Sequence, residues 1–196
     1  AITGITPSAT SGRISFDLGL MGPSVTIDTA CSSSLVATSM GSNSLLVREC
    51  DTAVFCGAQS ILSPWMFVAL CQTHAISPDG CCHTFDANAN GFARGEGCAV
   101  VIAKRLRDAI SEGLKPRAVI RGHAVNHDGR SSGFTTPRGP AQEAVYRAAL
   151  KRSGMKPSDV EMIEAHGTGT SLGDPIEAQS LAAVYGGKNR EVQTPI

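Results

Sequence analysis

The sequence predicts an α/β fold on a largely parallel, buried sheet. Short β-branched apolar runs alternate with stretches of helical periodicity. The runs are apolar almost throughout, the pattern of strands covered on both faces. Two of the helical stretches also carry their own start and stop residues.

The elements follow in order. Residues 23–30 (PSVTIDTA) read as a buried strand running into 31–50, where Leu35, Val36, Met40, Leu46 and Val47 recur at helical spacing. Residues 51–58 (DTAVFCGA) are a second strand, closed by Gly57. Residues 97–106 (GCAVVIAKRL) are a third and lead into a short charged helix; 117–125 (RAVIRGHAV) are a fourth. Residues 140–154 form a helix, with Pro140 in the first turn, Lys151 and Arg152 in the last, and Gly154 as the stop. Residues 160–166 (VEMIEAH) are a fifth strand, and 174–187 a further helix. There Asp174 suits the N-cap, Pro175 the first helical position, and Glu177 completes a capping box. Two long loops, about 72–96 and 126–139, interrupt the alternation, and loops of that length are commonly functional. Strand, reactive residue and helix follow one another at both 23–48 and 160–186, an echo of two related halves.

A length of 196 residues fits one domain or a piece of one. Seventeen Lys and Arg against 17 Asp and Glu leave no footprint for nucleic acid or anionic lipid. A hydrophobic share of 42% excludes a disordered chain, and aromatics at 5% leave the core to aliphatic residues. No apolar run reaches the ~20 residues of a membrane helix, and no secretory signal opens the chain. The first residue is Ala1 and the last are QTPI, so a fragment or processed termini are expected. Seven cysteines, mostly in apolar stretches, read as free thiols in a reducing cytoplasm. Cys50, Cys56 and Cys98 are expected to pack, as is Trp65 under the first long loop. His123 reads as a core histidine; His74, His83 and His127 read as loop residues.

Two positions carry chemistry. Cys31 joins a strand to a helix among small neighbours: Thr29, Ala30, Ser32, Ser33 and Ser34. A helix N-terminus stabilises a thiolate, and its N–H groups can hold an oxyanion. The arrangement follows the logic of a nucleophile elbow. The alternative is a buried structural cysteine beside a serine-rich cap. His166 ends a strand and opens HGTGTSLGD, where α/β folds place ligands. Its glycines admit close backbone approach, and Thr168 and Thr170 add hydroxyls. The alternative is a histidine closing a loop. A Cys–His pair suits covalent acyl transfer.

Three other readings compete. Cys71, His74, Cys81, Cys82 and His83 offer zinc-ligand types in 13 residues. Cys31 and His166 would also serve a thioester hydrolase, although no orienting Asn or Asp is evident. A non-catalytic module that binds a carrier protein is the third.

The longer blocks are more specific. DTACSSSLVA around Cys31, FDANANGFARGEG at 85–97 and EAHGTGTSLGDPIEA at 164–178 resemble the signature blocks of β-ketoacyl synthases. More narrowly, they resemble ketosynthase domains of modular polyketide synthases and related fatty-acid synthases. SGRISFDLGLMGPSVTIDTACSSS, SPDG (77–80) and NHDG (126–129) extend the likeness, which runs through the chain in order.

The resemblance implies a thiolase-like fold of two related halves in αβαβα layers, working as a homodimer. It implies that Cys31 accepts an acyl chain from a thioester. His166 would be one of two histidines supporting decarboxylation of a malonyl-type extender on acyl carrier protein. Thr168 and Thr170 would bind the phosphopantetheine arm, and no cofactor or metal would be held directly. Asp174 and Glu177 would be structural, capping and orienting the helix behind His166. The family's second histidine, in a GHTEAAAG-like block, and the lysine before it are not in these residues. The expectation is therefore a single partial ketosynthase domain over 1–196, lacking the N-terminal and C-terminal parts and unable to complete condensation alone.

Overall fold

A computed structural model describes residues 2–186. The chain forms two compact units, Ala1–Gln59 with Gly97–Val119, and Ser60–Glu96 with Ile120–Ile196.

The first unit contains α1 (Ser8–Leu18), α2 (Ser33–Leu46), β1 (Thr52–Gln59), β2 (Gly97–Lys104) and, after β2, a helix at Leu106–Ser111. α1 is absent from the sequence reading; none of its residues is fully buried, and Phe16 is 86% exposed. It stops at Gly19, whose φ of 64° lets Leu20 N–H reach the Ser15 carbonyl. β1 and β2 pair antiparallel, from Thr52 opposite Lys104 to Gln59 opposite Gly97.

α2 lies on β1 through small residues. A methyl group on Gly41 would collide with the Phe55 ring, and one on Gly57 would stand 3.1 Å from Ser34 Cβ. Phe55 and Leu45 are buried there. Arg105 ties the far end of the helix. Its Nη1 donates to the carbonyls of Leu45 (2.9 Å) and Cys50 (2.8 Å), and its other nitrogens meet Asp51 and Asp108. Hydrogen bonding to Asp51 and Asp108 raises the Arg105 pKa, and Arg105 in turn lowers that of Asp51.

The second unit contains α3 (Trp65–Gln72), then, numbering the Leu106–Ser111 helix α4, α5 (Gly139–Ser153) and α6 (Gly173–Tyr185). α5 begins and ends where the sequence places it, with Pro140 in the first turn and Gly154 left-handed at φ 69°. α5 and α6 pack at Gly139, where Ser180 Oγ donates to the Ile176 carbonyl at 2.7 Å. Farther along, the Tyr146 and Tyr185 rings stand 6.0 Å apart. Burial raises both phenol pKa values, and the charge of Glu177 adds to the effect on Tyr146. Gly122 crosses the end of α5, where a methyl group would meet Ser153 N at 2.6 Å.

The largely parallel sheet is corrected at the level of pairing. Among the described residues the sheet has two strands and is antiparallel. Residues 23–30, 117–125 and 160–166 form no ladder there. Their apolar runs signal burial on two faces, but a strand also needs a neighbour, and composition does not supply one. Val25, Val119, Ile120 and Met162 are exposed. Trp65 opens α3 at 77% exposure rather than packing under the loop, and Cys98 is exposed on β2. The expected end of α6 at Gly187 lies outside the described residues. Among the described residues no helix is long and apolar enough to cross a membrane.

Candidate active site

Cys31 belongs to the first unit and His166, Thr168, Thr170, Asp174 and Glu177 to the second. Each set is built differently.

The Cys31 turn is held by its own neighbours. Ala30 is left-handed at φ 56°, a conformation that costs an L-residue about 1–2 kcal/mol. Local hydrogen bonds offset that cost. Asp28 Oδ1 accepts from Ala30 N–H at 3.0 Å. Ser33 Oγ accepts from Thr29 N–H at 2.9 Å and donates to the Ala30 carbonyl at 2.7 Å. Ser32 Oγ donates to the Thr29 carbonyl at 2.9 Å. The kink leaves Cys31 exposed, immediately before the N-cap Ser32 of α2. The thiol therefore stands at the positive end of a 14-residue helix.

The His166 loop is held from a distance. Glu177 accepts from the N–H groups of His166 (2.7 Å) and Gly167 (2.8 Å), one on each carboxylate oxygen. Asp174 Oδ1 accepts from Gly169 N–H (3.0 Å) and Thr170 N–H (3.3 Å), while Oδ2 accepts from Phe85 N–H at 2.7 Å. Both carboxylates are buried, so these donors compensate for lost hydration.

This corrects the expected capping box. α6 starts at Gly173, and its N-cap, Leu172, makes no side-chain capping bond. Asp174 and Glu177 lie inside the first turns and face outward, because the N–H groups of Phe85, His166, Gly167, Gly169 and Thr170 compete for them. The hydroxyls of Thr168 and Thr170 are 3.0 Å apart, and Thr170 Oγ1 also accepts from Gly173 N–H at 3.1 Å.

A second chain segment supports this loop, and local sequence signals do not join the two. Thr84 Oγ1 donates to the Gly167 carbonyl at 2.6 Å, and Gly91 N–H donates to the Gly169 carbonyl at 2.9 Å. Gly167 and Gly169 have φ of 54° and 73°. A methyl group on Gly169 would stand 2.9 Å from His83 N and 3.1 Å from the Gly91 carbonyl oxygen. Gly91, at φ 135°, would press one to 2.5 Å from Ser77 N. The glycine of FDANANGF is the available signal, since closely packed backbone requires it. Phe85, Ala87, Thr170, Ser171 and Pro175 help to line a shallow cleft of about 390 Å³.

Asp79 organises the rest of that segment. It accepts from Ser77 Oγ, from Cys81 N–H (3.2 Å) and from Asn90 Nδ2 (3.3 Å), and it pairs with His83 Nε2 at 3.0 Å. These bonds hold its carboxyl well below the usual carboxylate range, the Ser77 hydroxyl contributing most. The zinc reading gains no support: among the described residues no three His, Cys, Asp or Glu side chains gather as ligands.

Known proteins resemble this chain in sequence and fold. The family described as β-ketoacyl synthase, N-terminal domain, matches residues 1–109, and its C-terminal counterpart matches 117–196. The chain belongs to the β-ketoacyl synthase family. It crosses from the N-terminal into the C-terminal half of that acyl-condensing transferase family between residues 109 and 117.

One phenolphthiocerol/phthiocerol polyketide synthase protein of Mycobacterium tuberculosis is 53% identical over 184 residues, 94% of this chain and 10% of that protein. Another protein of the same synthase and organism is 51% identical over 96% of this chain and 10% of its own length. The module 6 ketosynthase of the bacillaene synthase from Bacillus subtilis superposes with a TM-score of 0.91 at 38% identity, over 94% of this chain and 33% of its own. An oxazolomycin ketosynthase domain from Streptomyces albus gives 0.90 at 36% identity, over 92% and 31%. The fold is therefore the thiolase-like fold of ketosynthase domains. The chain spans about a tenth of those curated relatives and about a third of those solved ketosynthases.

Proposed function

We propose that these residues are the central part of a single ketosynthase domain of a modular polyketide synthase. That domain joins carbon chains by decarboxylative Claisen condensation. The observation that carries the reading is that one chain of this family holds two distinctive local structures. One is an exposed cysteine on a kinked turn ahead of a helix, and the other is a histidine loop fixed by two buried carboxylates.

The Cys31 thiolate attacks the carbonyl of an acyl thioester and expels the carrier thiol. A new thioester forms on Sγ, and a thiolate is both a good nucleophile and a good leaving group. A malonyl-type extender then loses its carboxyl as CO₂. The electron pair of the broken C–C bond becomes an enolate, stabilised by imidazole N–H donation from His166. That carbon attacks the Cys31 thioester, the new C–C bond forms, and the thiolate is released. Asp174 and Glu177 fix the backbone that carries the imidazole and leave Thr168 and Thr170 facing the phosphopantetheine arm. The partners are acyl carrier protein, neighbouring synthase domains and a second copy in a homodimer. The setting is cytoplasmic, and the phosphopantetheine arrives with the carrier instead of residing here.

In the full-length protein carrying these residues, Cys31→Ala abolishes acyl loading at Sγ and lowers condensation by at least about 10³-fold. Intact-mass measurement after incubation with an acyl thioester reads the loading. Normal loading of the variant overturns the role of Cys31. Steady acyl-thioester turnover without a malonyl donor indicates a hydrolase instead.

A further inference from the structure

The segment under the His166 loop carries two thiols that condensation does not use. Cys81 and Cys82 are adjacent, reduced and exposed. Both ends of the pair are anchored. Asp79 accepts from Cys81 N–H at 3.2 Å, and Cys82 Sγ accepts from Ala93 N–H at 3.1 Å. The next residues abut the catalytic loop. A methyl group on Gly169 would stand 2.9 Å from His83 N and 3.3 Å from the Cys82 carbonyl carbon, and Thr84 Oγ1 holds the Gly167 carbonyl at 2.6 Å. There is no slack between the backbone at Cys82 and the loop that begins at His166.

We propose that Cys81 and Cys82 are a peroxide-sensitive dithiol whose closure displaces the His166 loop. One thiolate attacks a hydroperoxide oxygen. The O–O bond breaks, the alkoxide or hydroxide leaves and takes a proton, and a sulfenic acid forms. The neighbouring thiol attacks that sulfur and expels water. Two thiols are oxidised to one disulfide, and one peroxide is reduced to water and an alcohol, or to two waters.

The geometry supplies the output. Consecutive Cα atoms across a trans peptide lie about 3.8 Å apart, whereas bridged cysteines usually lie about 4.4–6.8 Å apart. The peptide bond fixes that separation below the usual range, so closing the bridge twists the Cys81–Cys82 peptide and both side chains. It also withdraws Cys82 Sγ from Ala93, and the movement passes through His83 and Thr84 to Gly167 and Gly169. A bridge bent in this way is readily opened by dithiols, so the switch is reversible.

The effect on activity rests on the proposed role of His166, but the bridge does not. The full-length protein is treated with hydrogen peroxide, alkylated and digested. Cys31 is acyl-loaded beforehand so that its own oxidation is blocked. The peptide with Cys81 and Cys82 is expected two hydrogens lighter and unalkylated, with condensation reduced at least tenfold and restored by dithiothreitol. Cys81→Ser is expected to keep its activity through the same treatment. Alkylation of both thiols after peroxide overturns the bridge. A bridge that forms without loss of condensation overturns the coupling to the loop, and equal inactivation of Cys81→Ser assigns the loss elsewhere. A protein that forms the bridge yet never condenses acyl chains leaves the dithiol standing and sinks the ketosynthase reading.

Discussion

The turn at Cys31 and the loop at His166 solve the same problem by opposite means. Under the proposed function, each holds a reacting residue on irregular backbone at the end of an apolar run. At Cys31 every hydrogen bond described comes from within four residues, through Asp28, Ser32 and Ser33. At His166 the anchors are buried carboxylates on the following helix and a segment 83 residues earlier in the chain. A turn held locally is exposed to water, which replaces a lost bond cheaply. The loop held over long range hangs on buried carboxylates, and losing one of them leaves partly buried donors stranded.

The largest expected effect separates the two. Asp174→Ala leaves the N–H groups of Gly169, Thr170 and Phe85 without their acceptor, the first in a buried site and the other two partly buried. A loss of about 1–3 kcal/mol per stranded donor is expected, read as a lower denaturation midpoint together with lost condensation. An unchanged midpoint breaks the comparison.

Gly169→Ala comes next. The left-handed backbone alone costs about 1–2 kcal/mol, and a methyl group 2.9 Å from His83 N adds steric strain. Chemical denaturation of the full-length variant measures it, and a neutral result means that the two segments do not press together.

At the Cys31 turn, Ser33→Ala removes the acceptor of Thr29 N–H and a donor to the Ala30 carbonyl. Because the site is open, only about 0.5–1.5 kcal/mol is expected, with acyl loading retained. A loss as large as that of Asp174→Ala would erase the distinction between local and long-range support.

The smallest effect is at Asp79. Its folded pKa lies below the ordinary 3.8, so its stabilising share is full above that value and fades as pH falls through the folded pKa. The stability gap between wild type and Asp79→Asn should therefore be widest near neutral pH and narrow as the pH falls through the acid range, and a gap that does not narrow in acid breaks the assignment. The group is solvent-exposed, so salt should shrink the difference further.

Legibility in the sequence follows the same division. The turn at Cys31 and the helix after it are readable because an apolar run, small residues and a helical pattern follow one another within one short stretch. α5 is readable for the same reason, since Pro140, Lys151, Arg152 and Gly154 are all local signals. The partners of Asp174 and Glu177 are misassigned because a capping box and a loop anchor present the same letters. Only folding decides which backbone N–H groups reach the carboxylates.

By itself, then, the sequence determined the chemistry on offer: a thiol on a sharp turn, an imidazole opening a glycine–threonine loop, and blocks that mark a ketosynthase. The tertiary structure alone decided that the segment at 77–92 is the floor of the His166 loop. It also decided that the paired strands are antiparallel and that two acidic side chains of α6 turn away from their own helix. The physical reason is range. Backbone preferences act over a few residues and are written in order along the chain, whereas buried hydrogen bonds join residues that only the folded backbone brings together.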